Sequence, residues 1–309
     1  MPDYTFAFQT STTHAGFLKA PSLEAFPDAP YVVAGIPWDG CVTNRPGTRF
    51  GPYEIRRSSH MLCDGTHTLW PVSPLGHFAD AGDLTLPNTS LERMREALMP
   101  QAAAMLARHH MVWLGGDHSI TLPLLRAYRA HHGRPLAIVH FDAHCDTWTD
   151  HFGEPSGHGT WVHEAIVEGL IDPTLTVQVG IRSSAERDTA EYVRDRGGLI
   201  YTGRDLRGLI NPQQLAEVIN TVRDRLAGHP VYLTLDIDCL DPAYAPGTGT
   251  PEPGGLTSAQ VLTLLEQWVD LNWIGMDLSE VSPPYDHAQL TSNAAAHFVW
   301  TYLCGRVRP

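Results

Sequence analysis

Short, almost wholly apolar runs recur along the chain: Tyr31 to Pro37, Met111 to Leu114, Leu136 to Phe141, Leu175 to Ile181, Val231 to Leu235 and Trp273 to Leu278. They are flanked by Gly, Pro and Asp. Strands without a polar face must be covered on both sides, the condition of a parallel sheet sandwiched by helices. Helical patterns lie between them. Leu215, Val218, Ile219, Val222 and Leu226 recur at helical spacing, with Asn211 as the expected cap, Pro212 in the first turn and Gly228 at the end. Thr257-Ser258-Ala259-Gln260 has the pattern of a capping box ahead of Val261, Leu264, Leu265 and Trp268. Thr89 to Glu92 opens a further helix, which Pro100 should kink or break. Alternating strands and helices predict an α/β fold with a mainly parallel sheet and right-handed crossovers. The absence of repeats and linkers predicts one domain over residues 1–309, with residues 1–30 as an N-terminal extension.

Composition narrows the partners. The formal charge is −13, which repels phosphate backbones and argues against nucleic acid. The five cysteines are odd in number, widely spaced and without a CxxC pair, which predicts a reducing, cytoplasmic setting and not a disulfide framework. The segment Met1 to Thr13 has no apolar signal core, and no stretch approaches the roughly 18 apolar residues of a membrane span. Seventeen histidines direct attention to metal or acid–base chemistry.

In open α/β sheets, functional groups gather past the carboxyl ends of the strands. Three of the runs end in possible metal ligands: one in Gly115-Gly116-Asp117-His118, one in Asp142-Ala143-His144-Cys145-Asp146 and one in Asp236-Ile237-Asp238. Side chains at i and i+2 of a strand share a face, so Asp142 should pair with His144 and Asp236 with Asp238. Such charges are costly at buried strand ends unless paired or bound to metal. No Lys or Arg lies between Asp236 and Asp238. Four carboxylates with two imidazoles balance two divalent cations, and oxygen-rich ligation suits manganese better than zinc or copper. Two metals about 3.5–4 Å apart can lower the pKa of a shared water towards neutrality.

These residues resemble the signatures of the ureohydrolase family, which includes arginases, agmatinases and guanidino-acid hydrolases: GGDHS (115–119), DAHCD (142–146) and DIDCLDPAYAPGTGTPEPGG (236–255). The likeness runs from GIPWDG (35–40) and RPGTRFGP (45–52) to SEVSPPYD (279–286). It implies a three-layer α/β/α domain and a binuclear Mn2+ centre, two ions per chain, held by His118, Asp142, His144, Asp146, Asp236 and Asp238. The completeness of that set argues against the single-zinc deacetylases of the same fold and against a catalytically silent subunit. The resemblance also implies that His158 moves a proton to the leaving amine, that Glu280 holds the guanidinium, and that Asp142 takes part in catalysis. His158, Glu280, Trp148 and Thr250 are the expected substrate-binding residues.

Within the family, EGLIDP (168–173), LTSAQ (256–260) and the segment 231–251 resemble agmatinases more than arginases. The expected reaction is agmatine to putrescine and urea, with a guanidino acid as the alternative substrate. The loop Thr147 to His158 should read the substrate tail: Trp148, Asp150, His151, Phe152 and Glu154 suit an ammonium group, whereas a carboxylate tail would call on an arginine such as Arg182. The resemblance further implies a homo-oligomer, trimer or hexamer.

Overall fold

A computed structural model describes residues 16–150 and 152–308; residues 1–15 of the expected extension, and His151, lie outside the described residues. The strands are β1 (Tyr31–Ile36), β2 (Phe78–Asp83), β3 (His110–Gly115), β4 (Leu136–Phe141), β5 (Ile171–Ile181), β6 (Leu199–Thr202), β7 (Val231–Asp236) and β8 (Trp273–Ser279). They form one sheet in the order β2-β1-β3-β8-β7-β4-β5-β6, and every pairing is parallel. The main helices are α1 (Gly51–Ser59), α2 (Leu91–Leu106), α3 (Thr121–His132), α4 (Trp161–Val167), α5 (Arg187–Ala190), α6 (Ala216–Leu226), α7 (Ser258–Gln267) and α8 (Leu290–Val307).

The alternation of side chains along each strand divides the core in two. Val112 and Leu114 of β3 pack into the cluster that holds Ile55, Val222, Leu264 and Phe298 from α1, α6, α7 and α8. Their neighbours Met111 and Trp113 face the opposite cluster, with Leu98, Leu125 and Val162 from α2, α3 and α4. Helices on both faces of an all-parallel sheet give the three layers that the sequence predicts.

Two helical expectations need correction. Asn211 does not cap α6 and Pro212 is not in its first turn: the Asn211 Oδ1 accepts from the Gln214 N–H at 3.0 Å in a preceding turn, and the helix begins at Ala216. Pro100 does not break α2, which runs on to Leu106. Its exposed face tolerates the missing donor, because the buried stripe is Met94, Leu98, Ala102 and Leu106. The capping box at Thr257 and Gln260 is present as expected.

At one edge of the sheet, Arg56 of α1 is buried between carboxylates of β2. It donates to both oxygens of Asp80, at 2.8 and 2.9 Å, and to Asp83 at 2.5 Å. Asp80 also accepts from the Phe17 N–H at 2.7 Å, so the ion pair anchors residues 16–20 to the sheet. Arg56→Ala strands a buried carboxylate and should lower unfolding free energy by about 3–5 kcal/mol. Urea unfolding measures it, and a loss under about 1 kcal/mol would rule out this anchoring role.

Candidate metal centre and substrate pocket

The strands that carry the sequence signatures, β3, β8, β7 and β4, are contiguous in the middle of the sheet. Because all run the same way, their carboxyl ends open on one rim. Gly116 makes the rim tight: a Cβ there would lie 2.0 Å from the Trp38 carbonyl oxygen. Its own carbonyl accepts from the Glu280 N–H at 2.8 Å. Glu280 itself has φ +65 and Asp146 has φ +52, left-handed conformations that non-glycine residues hold only under the constraint of their surroundings.

His118 Nδ1 lies 3.1 Å from Asp142 Oδ2, 3.3 Å from Asp146 Oδ2 and 3.2 Å from Asp236 Oδ2. It is buried, and none of these contacts has hydrogen-bond geometry. His144 Nδ1 lies 3.3 Å from Asp142 Oδ1 and 3.1 Å from Asp238 Oδ2. The six side chains thus form two donor clusters that share Asp142, one oxygen turned to each. Asp142 pairs with His144 as expected, whereas the Asp236 and Asp238 side chains go to different clusters, and strand alternation is not the cause of either placement. β4 ends at Phe141 and β7 at Asp236, and each leading aspartate accepts the backbone N–H two residues on, at 2.6 Å and 2.8 Å. Asx-type turns therefore set the direction of the side chains that follow each leading aspartate.

The electrostatics fit a cation site. No Lys or Arg among the described residues forms an ion pair with these carboxylates. Burial, then repulsion from Asp238 and Asp142, hold the Asp236 carboxyl well above its ordinary range, and burial with the Asp142 charge raises Asp146. Asp142 is instead held well below its range, because the surrounding histidines outweigh its burial. Dry, crowded negative charge facing imidazole nitrogens is the donor chemistry of a divalent-metal cluster.

Partners that the sequence did not reveal orient this set. His140, in the apolar run of β4, donates from Nε2 to Asp142 Oδ2 at 2.7 Å while its Nδ1 accepts from Gln178 at 3.2 Å. Both ring nitrogens are therefore committed, and His140 supports the cluster without joining it. His118 Nε2 contacts Thr234 Oγ1 at 2.7 Å, and that hydroxyl donates to Asp277 Oδ1 at 2.7 Å. The hydroxyl proton points to Asp277, so Nε2 carries the imidazole proton and Nδ1 presents its lone pair to the cluster. A histidine inside an apolar strand was the one available signal for His140, since a buried imidazole needs partners.

A cavity of about 430 Å³ opens above the clusters. Its wall includes His118, His144, Asp146, Asp236, Trp148, Asp150, Phe152, His158, Thr43 and Thr250, and among the described residues no Lys or Arg. Thr250 Oγ1 donates to Asp238 Oδ2 at 3.3 Å. Glu154 departs from expectation: it lines a separate depression with Arg95 and Arg126. Asp142, Asp238 and Glu280 lie beneath the wall. Glu280 Oε1 accepts from the His118 N–H and from His158 Nδ1, each at 2.9 Å, while Oε2 is buried without a hydrogen-bond partner. His158 Nε2 meets Thr43 Oγ1 at 3.0 Å. Burial opposes a charge on His158, but the Glu280 carboxylate outweighs it and pushes the imidazole up to about 9.

The sequence profile described as the Arginase family matches residues 29–305. The chain belongs to that family. An agmatinase of Cronobacter sakazakii is 43% identical over 288 residues, covering 91% of this chain and 89% of the relative. Among solved structures, a hypothetical agmatinase from Burkholderia thailandensis superposes with a TM-score of 0.87 at 36% identity, covering 96% of this chain and 92% of its own. A proclavaminate amidino hydrolase from Streptomyces clavuligerus gives 0.85 at 35% identity over 99% of this chain and all (100%) of its own. Membership of the arginase family makes this chain a ureohydrolase, and the His/Asp cluster has the make-up of a metal-binding site.

Proposed function

We propose that the chain hydrolyses agmatine to putrescine and urea, with two Mn2+ ions held by His118, Asp142, His144, Asp146, Asp236 and Asp238. Bound there, the two cations supply Lewis-acid activation of a water for attack on the guanidinium carbon. The residues do the rest. The unpartnered Oε2 of Glu280 accepts guanidinium N–H groups. His158 delivers a proton to the departing amine nitrogen as the C–N bond breaks, and Thr43 and Glu280 hold its ring in line. Trp148 and Asp150 face the ammonium tail, and Thr250 steadies Asp238.

The observation that carries the choice of substrate is the lack of a Lys or Arg in the wall among the described residues. Arg182, the residue offered for a carboxylate tail, spends its guanidinium on the carbonyls of Gly180, Asp238, Cys239, Leu240 and Glu252. A carboxylate tail would meet the like charge of Asp150 with no Lys or Arg in the wall to pair with it. The specificity constant for agmatine should exceed those for 4-guanidinobutyrate and 3-guanidinopropionate. Preference for either acid by about tenfold, some 1.4 kcal/mol, overturns the substrate and leaves the metal chemistry standing.

The reading extends to a homo-oligomer, trimer or hexamer, in the cytoplasm, as one domain. None of the five cysteines forms a disulfide, which suits a reducing compartment. No helix among the described residues is long and apolar enough to cross a membrane. Sedimentation velocity of the full chain tests the assembly, and a monomer at micromolar concentration overturns it.

A further inference from the structure

Helix α4 begins directly after the turn that carries His158, and its first residue, Trp161, is wholly buried. The indole N–H donates to Asp146 Oδ2 at 2.6 Å. That same oxygen lies 3.3 Å from His118 Nδ1. The indole also meets the rings of His118 and His140, at centroid distances of 5.1 Å and 4.9 Å. Asp146 is gripped from a second side as well: its carbonyl accepts the backbone N–H groups of Val162 and His163 at 3.0 and 3.3 Å. One helix end therefore fixes both the carbonyl and the carboxylate of a residue whose backbone is left-handed.

A buried indole N–H always needs an acceptor. Here the acceptor is one of the six converging side chains, and the donor sits three residues from His158. A carboxylate has about four lone-pair sites, so the bond to Trp161 leaves Asp146 free to bind a cation in a set orientation. We propose that Trp161 is a positioning residue of the metal centre, its N–H fixing the Asp146 carboxylate against His118 and tying the centre to the His158 turn. The proposal rests on the two-cation reading above.

Outer partners of metal ligands are worth about 10–100-fold in affinity. The test is a calorimetric titration of the metal-stripped full chain with MnCl2, for wild type, Trp161→Phe and Asp238→Asn. Trp161→Phe should bind Mn2+ about 10–100-fold more weakly while its metal-free far-UV circular dichroism stays that of the wild type and its melting temperature falls only by the amount that a trimmed core side chain accounts for. Tryptophan emission gives a second readout: the part of the Mn2+ quench due to Trp161 should vanish in that variant. If Trp161→Phe binds with unchanged affinity while Asp238→Asn loses metal, the positioning role is wrong and the centre stands. If neither substitution alters binding, the two-cation reading itself falls. Should the Phe variant not fold, benzothienylalanine at 161 keeps the indole shape without the N–H, and the same comparison decides.

Discussion

Asp238→Ala should bind clearly fewer than two Mn2+ ions per chain after loading, against a value near two for the wild type, and lose at least about a thousandfold in turnover. The magnitude follows from the several kcal/mol that Lewis-acid stabilisation contributes, at about 1.4 kcal/mol per tenfold in rate. Asp238 is fully buried. Its Oδ2 faces His144 Nδ1 at 3.1 Å, and its Oδ1 accepts from the Ala143 N–H at 3.0 Å. A purely structural aspartate in that place would cost the hydrogen bonds from Ala143 and Thr250, about 1 kcal/mol each. Two measurements separate the roles. Elemental analysis counts the ions, and the rise in melting temperature on adding Mn2+ reports binding to the folded state. A variant that keeps both ions and its turnover removes Asp238 from the ligand set. A wild-type content of one ion with zinc preferred would instead place the chain beside the single-zinc deacetylases of this fold.

The residues of this centre were legible because buried strands announce themselves. β1, β3, β4, β5, β7 and β8 are apolar on both faces, and their ends carry charges that an unpartnered core could not hold. The two strands that the sequence reading missed, β2 and β6, are the edges of the sheet. β2 reads FADAGD, and its Asp80 and Asp83 serve Arg56, so a strand with polar duties looks like a loop. β6 has only four residues.

The supporting contacts were hidden for a different reason. Thr234 meets His118, and Asp277 meets Thr234, because β8 lies between β3 and β7, and that order does not follow the order along the chain. Trp161 reads as an ordinary core residue until the turn before it returns to Asp146. The positive φ of Asp146 and Glu280 left no trace either, since neither is glycine. Motif spacing located the donors, whereas the sheet order and two strained turns aim them.

His158→Asn should keep both metal ions and lower kcat by about 100- to 10,000-fold, the range over which a positioned acid or base contributes. His158 lies outside the two donor clusters: its Nδ1 goes to Glu280 and its Nε2 to Thr43. Asparagine keeps one donor for Glu280 but has no proton to give in this range. As an acid, His158 works in its protonated form, so wild-type kcat/KM should fall as pH rises through the imidazole pKa. Glu280 pushes that value up to about 9, while bound cations push it back, so the falling limb belongs at or below 9. The limb should disappear in His158→Asn, whose residual rate no longer depends on that proton. Exogenous imidazole should restore part of the rate, more at a pH where it is protonated. An Asn variant that loses metal would make His158 part of the metal site, and an unchanged kcat would assign the proton to another group.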